Sequence, residues 1–250
     1  MMHTSLSVQG QTVLITGASR GIGRGLALGY AQAGADVLCL ARPSEALSSL
    51  VNTIKAEGGA ARAIEVDLTC CNPTALVQSL PDIDAVIHAA GVARHRPLTD
   101  MTREHYAEVM ALNVEAPLFL TQAITDRWIV KERGGSIVFI SSQLAHVGAP
   151  QRALYCGSKS ALEGLSRALA IELAPQRIRV NTICPTFTRT EMTAEALSDP
   201  AFRASVIQRI PMGRLGEPSD YLGACLLLTS SAGQLITGSS LRVDGGWTAQ

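Results

Sequence analysis

The sequence predicts an α/β fold: one doubly wound parallel sheet of about seven strands, flanked by helices on both faces. Two observations predict it. Short apolar, β-branched runs alternate with longer segments of helical period, the pattern of strands buried on both sides. The chain also has 250 residues, 47% of them hydrophobic, and no repeat or linker interrupts it. That length and composition suit one large core, so residues 1–250 are expected to form a single domain.

The candidate strands are Thr12 to Thr16, Asp36 to Ala41, Ala63 to Asp67, Ala85 to Ala89, Ser136 to Ser141, Arg179 to Cys184 and Ser239 to Val243. Between them, Leu47, Leu50, Val51 and Ile54 form a helical stripe that Gly58 and Gly59 stop. Leu162, Leu165, Leu169 and Leu173 form another, ended by Pro175. Both stripes read as core-facing. Pro117 falls inside the long segment from Thr102 to Trp128 and should kink or divide it. Thr186 to Glu217, punctuated by Pro200, Pro211, Gly213 and Gly216, shows no obvious element, and residues 186–217 are expected to be a substrate-binding loop.

Lys plus Arg, 21, equals Asp plus Glu, 21, and neither sign clusters. This argues against nucleic acid or an anionic membrane as a partner and favours a small molecule. No apolar run reaches a bilayer span, and Met1 to Gly10 lacks the basic and apolar regions of a secretory signal, so a cytoplasmic protein is expected. The six cysteines contain no Cys-x-x-Cys pair. Neither a disulfide framework nor a metal site is expected from their spacing.

The first strand runs directly into Gly17, Ala18, Ser19, Arg20, Gly21, Ile22 and Gly23, and a helical pattern opens at Ile22. Glycines permit positive φ and close approach of the backbone to a pyrophosphate, whose charge a helix N-terminus stabilises. Strand, glycine turn and helix in the first unit of a parallel sheet make a Rossmann-type dinucleotide site. Gly25 and Gly29, at helical spacing, are expected to let this helix pack closely on the sheet. Gly17 to Gly21 also matches the Gly-x-Ser-x-Gly elbow of serine hydrolases, with Ser19 as nucleophile. That reading leaves Gly23 unexplained, and no histidine follows His146.

Beyond the fifth strand come Ser142 and then Tyr155 and Lys159, four apart at the start of the leucine-striped helix. This spacing puts phenol and ammonium on one helix face. Such a pair alone is ordinarily two exposed neighbours. Here it lies past the carboxyl end of a strand, where ligands bind in these sheets. Hydride transfer to a carbonyl leaves an alkoxide that a phenol can protonate and a serine hydroxyl can orient. A free phenol has a pKa of about 10, and a nearby cation lowers a partner by roughly one to three units. Lys159 and an oxidised nicotinamide would together bring Tyr155 into working range.

With Thr16 to Gly23, Asn113, Ser142, Tyr155 and Lys159 in this order, the sequence resembles the classical short-chain dehydrogenases/reductases over nearly its whole length. The resemblance implies an enzyme acting on CH–OH groups with a nicotinamide acceptor. Ser142 would orient the substrate oxygen, Tyr155 would be the acid/base, and Lys159 would also bind the nicotinamide ribose. Asn113 would hold a water relaying protons to Lys159. Asp67 and Leu68 would contact adenine, Ala90 and Gly91 would border the adenosine ribose, and Thr188 and Thr190 would face the nicotinamide amide and pyrophosphate. A homotetramer is implied as well, and the apolar Tyr221 to Leu228 segment and last strand would suit subunit contacts. Two positions depart from the pattern: the family's Asn-Asn-Ala-Gly reads His88, Ala89, Ala90 and Gly91, and Thr186 replaces the glycine after Pro185.

At the end of the second strand an acidic residue would bind the ribose hydroxyls of NAD, whereas arginine suits the phosphate of NADP. Ala41 stands there, followed by Arg42, and Arg20 adds a second guanidinium. NADP is therefore favoured over NAD. Polar side chains after Ser142 and Pro185, among them Gln143, Gln151 and Arg189, lean towards a hydroxylated substrate such as a polyol, sugar or sugar acid. His146 reads as a loop residue rather than a catalytic one. A 3-oxoacyl thioester is the alternative substrate, and a non-catalytic dinucleotide sensor is the alternative of another class.

Overall fold

The computed structural model describes residues 5–250; the first four residues of the Met1 to Gly10 segment lie outside the described residues. β1 (Thr12–Thr16), β2 (Asp36–Ala41), β3 (Ala60–Glu65), β4 (Ala85–His88), β5 (Gly135–Ile140), β6 (Ile178–Pro185) and β7 (Ser240–Val243) form one sheet in the order β3-β2-β1-β4-β5-β6-β7. Every adjacent pair is parallel. The order reverses between β1 and β4, and the crossovers leave the sheet in opposite directions there, which opens a crevice at the carboxyl ends of these two strands.

Alternation along the strands assigns each side chain to a face. Val13 and Ile15 of β1 join Val37, Cys39 and Ile87 under α1 (Gly21–Gln32), α2 (Glu45–Ala56) and α9 (Leu222–Thr229). Leu14 points the other way. With Leu38, Leu40, Val86 and Phe139 it packs under α3 (Pro73–Ser79), α5 (Ala116–Val130) and α6 (Ala153–Leu173). Each fully buried side chain of this size contributes about 1.5–3 kcal/mol. The stripes Leu47, Leu50, Val51, Ile54 and Leu162, Leu173 lie in these layers as expected, with Leu165 and Leu169 at the margin.

Several boundaries differ from the sequence reading. β3 begins at Ala60, straight after the Gly58–Gly59 turn, and ends two residues before Asp67. Asp67 instead turns the chain, its carboxylate accepting from the backbone N–H (2.9 Å) and hydroxyl (2.7 Å) of Thr69. β4 stops at His88 because the N–H groups of Ala89 and Ala90 leave the ladder and donate to Thr16 Oγ1, each at 3.1 Å. The long helical segment divides ahead of Pro117: α4 (Arg103–Met110) passes through a π-helical turn, Ala111–Glu115, into α5. Gly25 and Gly29 serve a contact other than the sheet. A Cβ on Gly25 would lie 2.4 Å from Pro218, and one on Gly29 would lie 2.5 Å from Leu222, so they seat α1 against the start of α9.

The expected loop 186–217 contains two helices, α7 (Glu191–Leu197) and α8 (Pro200–Gln208). Pro200, taken from sequence as loop punctuation, occupies the first turn of α8, where its missing N–H costs nothing, and Asp199 caps it. Val206, Ile210, Leu215 and Trp247 form a small separate core beneath this segment. The C-terminal turn is thereby the floor of the loop.

Candidate active site

The glycine turn shapes the crevice. Gly17 has φ +67°, and a Cβ there would stand 2.7 Å from the Ala90 backbone. A Cβ on Gly23 would stand 2.3 Å from the Gly17 carbonyl. These glycines bring the turn, α1 and the β4 loop into backbone contact. α1 has no side-chain cap and no acidic residue in its first turn, so its free N–H groups can serve an anion.

A cleft of about 1080 Å³ follows the carboxyl ends of the strands. Sheet order sets the sequence of its walls: Arg42, Asp67 and Leu68 beyond β2 and β3, then Gly17 to Gly23 and Ala90–Gly91 beyond β1 and β4, then Ser142, Tyr155, Lys159, Pro185 and Thr186 beyond β5 and β6. Thr188 and Thr190 complete it from the segment that leads to α7. One cleft thus collects Ser19, Arg20, Ile22 and all the other residues named from sequence as site residues, except Asn113. Thr69 and Arg42 hold the Asp67 carboxyl below the usual range, mainly through the Thr69 hydrogen bonds.

Tyr155 is the third residue of α6, and Lys159 lies one turn on, its Nζ 5.7 Å from the phenol ring centroid. Lys159 Nζ donates to the Ile140 carbonyl at 2.8 Å. Burial pushes the Tyr155 phenol up to about 12, against the pull of the Ser142 hydroxyl. Burial likewise drives the Lys159 ammonium down to about 8, opposed by Cys184 and Glu163. Burial is the first cause of both shifts. Ser142 Oγ accepts from the Leu144 N–H at 3.1 Å, which fixes its position at the end of β5.

Asn113 lies beneath the cleft, buried in the π-helical turn. Its amide is fully engaged, accepting from Val92 N (2.8 Å) and donating to Val92 O (2.9 Å) and Ser158 Oγ (3.0 Å). Pro117 has no N–H to give to the Asn113 backbone carbonyl four residues back, so that carbonyl loses its α-helical donor. At the first family departure, Thr16 Oγ1 ties down the β4 loop, and His88 is buried, bonded to Thr121 at 3.0 Å and stacked on Phe139. At the second, Thr186 lines the cleft, and its hydroxyl is buried without a hydrogen-bond partner among the described residues. The Thr188 hydroxyl, by contrast, is taken up by Thr186 O (2.8 Å) and Tyr221 (2.5 Å).

Sequence reasoning missed His95, whose ring stands edge-on to Tyr155 at 5.8 Å. Its only sequence signal was its place soon after Gly91. No described histidine pairs with Ser19: His88 bonds Thr121, His105 caps α4, His146 meets Ser240 and His95 meets Tyr155. The hydrolase elbow therefore lacks its base.

A switch-point cleft with an anion-binding helix N-terminus, and with a hydroxyl, phenol and ammonium on its far wall, defines a nicotinamide-dependent oxidoreductase. Residues 17–248 match the family model described as enoyl-(acyl carrier protein) reductase. D-Erythrulose reductase of Gallus gallus is 37% identical over 247 residues, spanning 98% of this chain and 99% of that protein. 2-Dehydro-3-deoxy-D-gluconate 5-dehydrogenase of Escherichia coli (strain K12) is 32% identical over 257 residues, spanning 100% of both. A gluconate 5-dehydrogenase from Burkholderia cenocepacia J2315, solved in complex with NADP and tartrate, superposes with a TM-score of 0.93 at 29% identity, covering 98% of each chain. The chain belongs to the short-chain dehydrogenase/reductase family, and it is an NAD(P)-dependent oxidoreductase that interconverts secondary alcohols and ketones.

Proposed function

We propose that this enzyme moves hydride between NADP(H) and a polyol, sugar or sugar acid, with Tyr155 as the proton donor and acceptor. The observation that carries the proposal is the convergence of Ser142, Tyr155 and Lys159 on one dry wall of the dinucleotide cleft. The cofactor fits the residues present: the free N–H groups of α1 suit its pyrophosphate, and the hydroxyl of Thr186, a residue of the cleft wall, has no partner among the described residues. When bound, the nicotinamide supplies or accepts the hydride.

Ser142 holds the substrate oxygen, and Tyr155 gives its phenolic proton to that oxygen as charge develops, or takes it back in oxidation. Lys159, whose ring-side position is fixed by Ile140 O, favours the phenolate electrostatically. Asn113 would support a water chain to Lys159 through its backbone carbonyl. Ser19 and Thr190 would border the pyrophosphate, Asp67 and Leu68 the adenine, and Ala90 and Gly91 the ribose. For Thr188 the backbone, not the occupied hydroxyl, would serve the nicotinamide side.

Arg20 and Arg42 line the cleft, and neither forms an ion pair among the described residues, which supports a phosphate-bearing dinucleotide. The relatives named for erythrulose and dehydro-deoxy-gluconate support the hydroxylated substrate over a 3-oxoacyl thioester. Residues 5–250 contain no helix long and apolar enough to cross a membrane, in keeping with a cytoplasmic enzyme. We also assign it a homotetrameric state, in which Leu235, 98% exposed between α9 and β7, would be covered.

The test is a panel of ketoses, keto sugar acids and their alcohols with each dinucleotide, followed at the nicotinamide absorbance. Tyr155→Phe is expected to lower kcat by at least about 10³-fold while leaving NADPH affinity within a few fold. Normal turnover by that variant would remove Tyr155 from the chemistry. Dinucleotide binding without turnover of any substrate would favour a sensor.

A further inference from the structure

His146, Glu163 and Cys184 converge from three segments: the loop after Ser142, the α6 turn after Lys159 and the end of β6. Cys184 Sγ stands 3.4 Å from His146 Nε2 and 3.2 Å from Glu163 Oε1, and the three donor atoms all lie within 4.8 Å of one another. Ser240 Oγ, on β7, approaches both Cys184 Sγ (3.3 Å) and His146 Nε2 (3.0 Å). The other Glu163 oxygen accepts from Thr182 Oγ1 at 3.0 Å.

Imidazole, thiolate and carboxylate are the ligands zinc takes. With Zn–S near 2.3 Å and Zn–N near 2.0 Å, a tetrahedral angle puts sulfur and nitrogen about 3.5 Å apart. The Cys184 distances already fall within a few tenths of an ångström of that spacing. Glu163 and Cys184 are almost fully buried, and Glu163 forms no ion pair among the described residues. A buried thiolate and carboxylate together carry two negative charges, which a divalent cation cancels. Thr182 supplies the outer hydrogen bond that orients a ligating carboxylate. His146 is solvent-exposed and gives the ion a way in.

We propose that His146, Glu163 and Cys184 form a zinc-type divalent metal site, with Ser240 or water in the fourth position. Binding breaks the Cys184 S–H bond, releases that proton to water and forms a metal–sulfur bond, with no change of oxidation state. The ion clips the Ser142 loop to α6 and β6, and its role is structural. Cysteine spacing could not show this site, because its ligands come from three separate elements.

The full-length protein, stripped with chelator, is titrated with Co²⁺ and then Zn²⁺. One equivalent of Co²⁺ should give a near-ultraviolet thiolate-to-cobalt band with intense visible bands of tetrahedral coordination, and Zn²⁺ should abolish both. Free Zn²⁺ at a hundredfold over its Kd should raise Tm by about 5–10 °C. Cys184→Ser should lose the thiolate band, and a Cys70→Ser, Cys71→Ser double variant should keep it. His146→Ala, at an exposed position that does not threaten folding, should weaken Co²⁺ binding at least tenfold. Absence of the band in the unmodified protein, or unchanged affinity in His146→Ala, would overturn the assignment.

Discussion

His88 offers a direct measure of how dry the floor of this cleft is. It closes β4 immediately before the Ala89–Gly91 loop, is 4% exposed, and burial lowers its pKa from 6.5 to about 3. Because the folded value lies below the unfolded one, the neutral ring contributes its full stability above pH 6.5. That contribution is lost as pH falls towards 3. At pH 4 the unfolded chain gains a proton on this residue and the folded chain does not, which costs about 1.4 kcal/mol for each of some 2.5 pH units, or about 3.5 kcal/mol. In a protein of this size that lowers Tm by about 7–14 °C. Asn in place of His88 removes the titration. The assay is calorimetric Tm at fixed protein concentration from about pH 7 to pH 4 for both proteins. His88→Asn leaves a smaller side chain and is less stable at pH 7. The Tm gap should nevertheless close or reverse by the stated amount on acidification. Other acid-sensitive groups, such as the salt-bridged Asp82, are common to both proteins and cancel. Parallel Tm profiles would refute the reasoning, because they would mean that His88 protonates as readily folded as unfolded.

Two further perturbations address the cofactor. Arg42→Ala should weaken NADPH binding by about tenfold, the value of one exposed charge-assisted hydrogen bond, and leave NADH within about twofold; fluorescence titration of both dinucleotides checks it, and equal losses would reject the phosphate contact. Gly23→Ala would put a Cβ 2.3 Å from the Gly17 carbonyl, so the turn must open; at least a hundredfold loss of dinucleotide affinity by calorimetry is expected, and unchanged affinity would mean that the turn does not need this contact.

The strand–glycine–helix unit was legible because each of its parts has a local cause: β-branched runs, positive-φ glycine, an unblocked helix N-terminus. Tyr155 and Lys159 were legible through helical spacing. What the sequence hid depends on side chains reaching across elements. The division of α4 from α5 was expected at Pro117 but lies in the preceding turn, where the proline removes a donor from Asn113 rather than bending its own residue. Thr16 reads from sequence as the end of β1 and the head of the glycine motif, but its hold on the two N–H groups of Ala89 and Ala90 shows only in the fold. That bond secures the loop at which Ala89 departs from the family pattern. In 186–217, prolines were read as loop marks, although Asp199–Pro200 is a cap followed by a first-turn proline and was a readable helix start. For His95 the place soon after Gly91 was too little, since only the folded loop sets it against Tyr155.

The electrostatics of the proposed acid/base pair also bear on the order of events. Without cofactor, burial favours the neutral form of both groups: the phenol stands near 12, and the ammonium keeps its charge only below about 8. The free enzyme near neutrality therefore holds a protonated Tyr155 beside a cationic Lys159, a site ready to give a proton and hence ready for reduction. Oxidation needs the phenolate, and bringing a phenol from about 12 to neutrality costs about 7 kcal/mol. Lys159, 5.7 Å from the ring centroid, can supply only part of that, since one neighbouring cation typically gives about one to three pKa units. The remainder must come from groups present only when the cleft is filled: the positive charge of an oxidised nicotinamide and a substrate hydroxyl shared with Ser142. On the proposed mechanism, removal of the Tyr155 proton would therefore be favoured by the oxidised form of the dinucleotide.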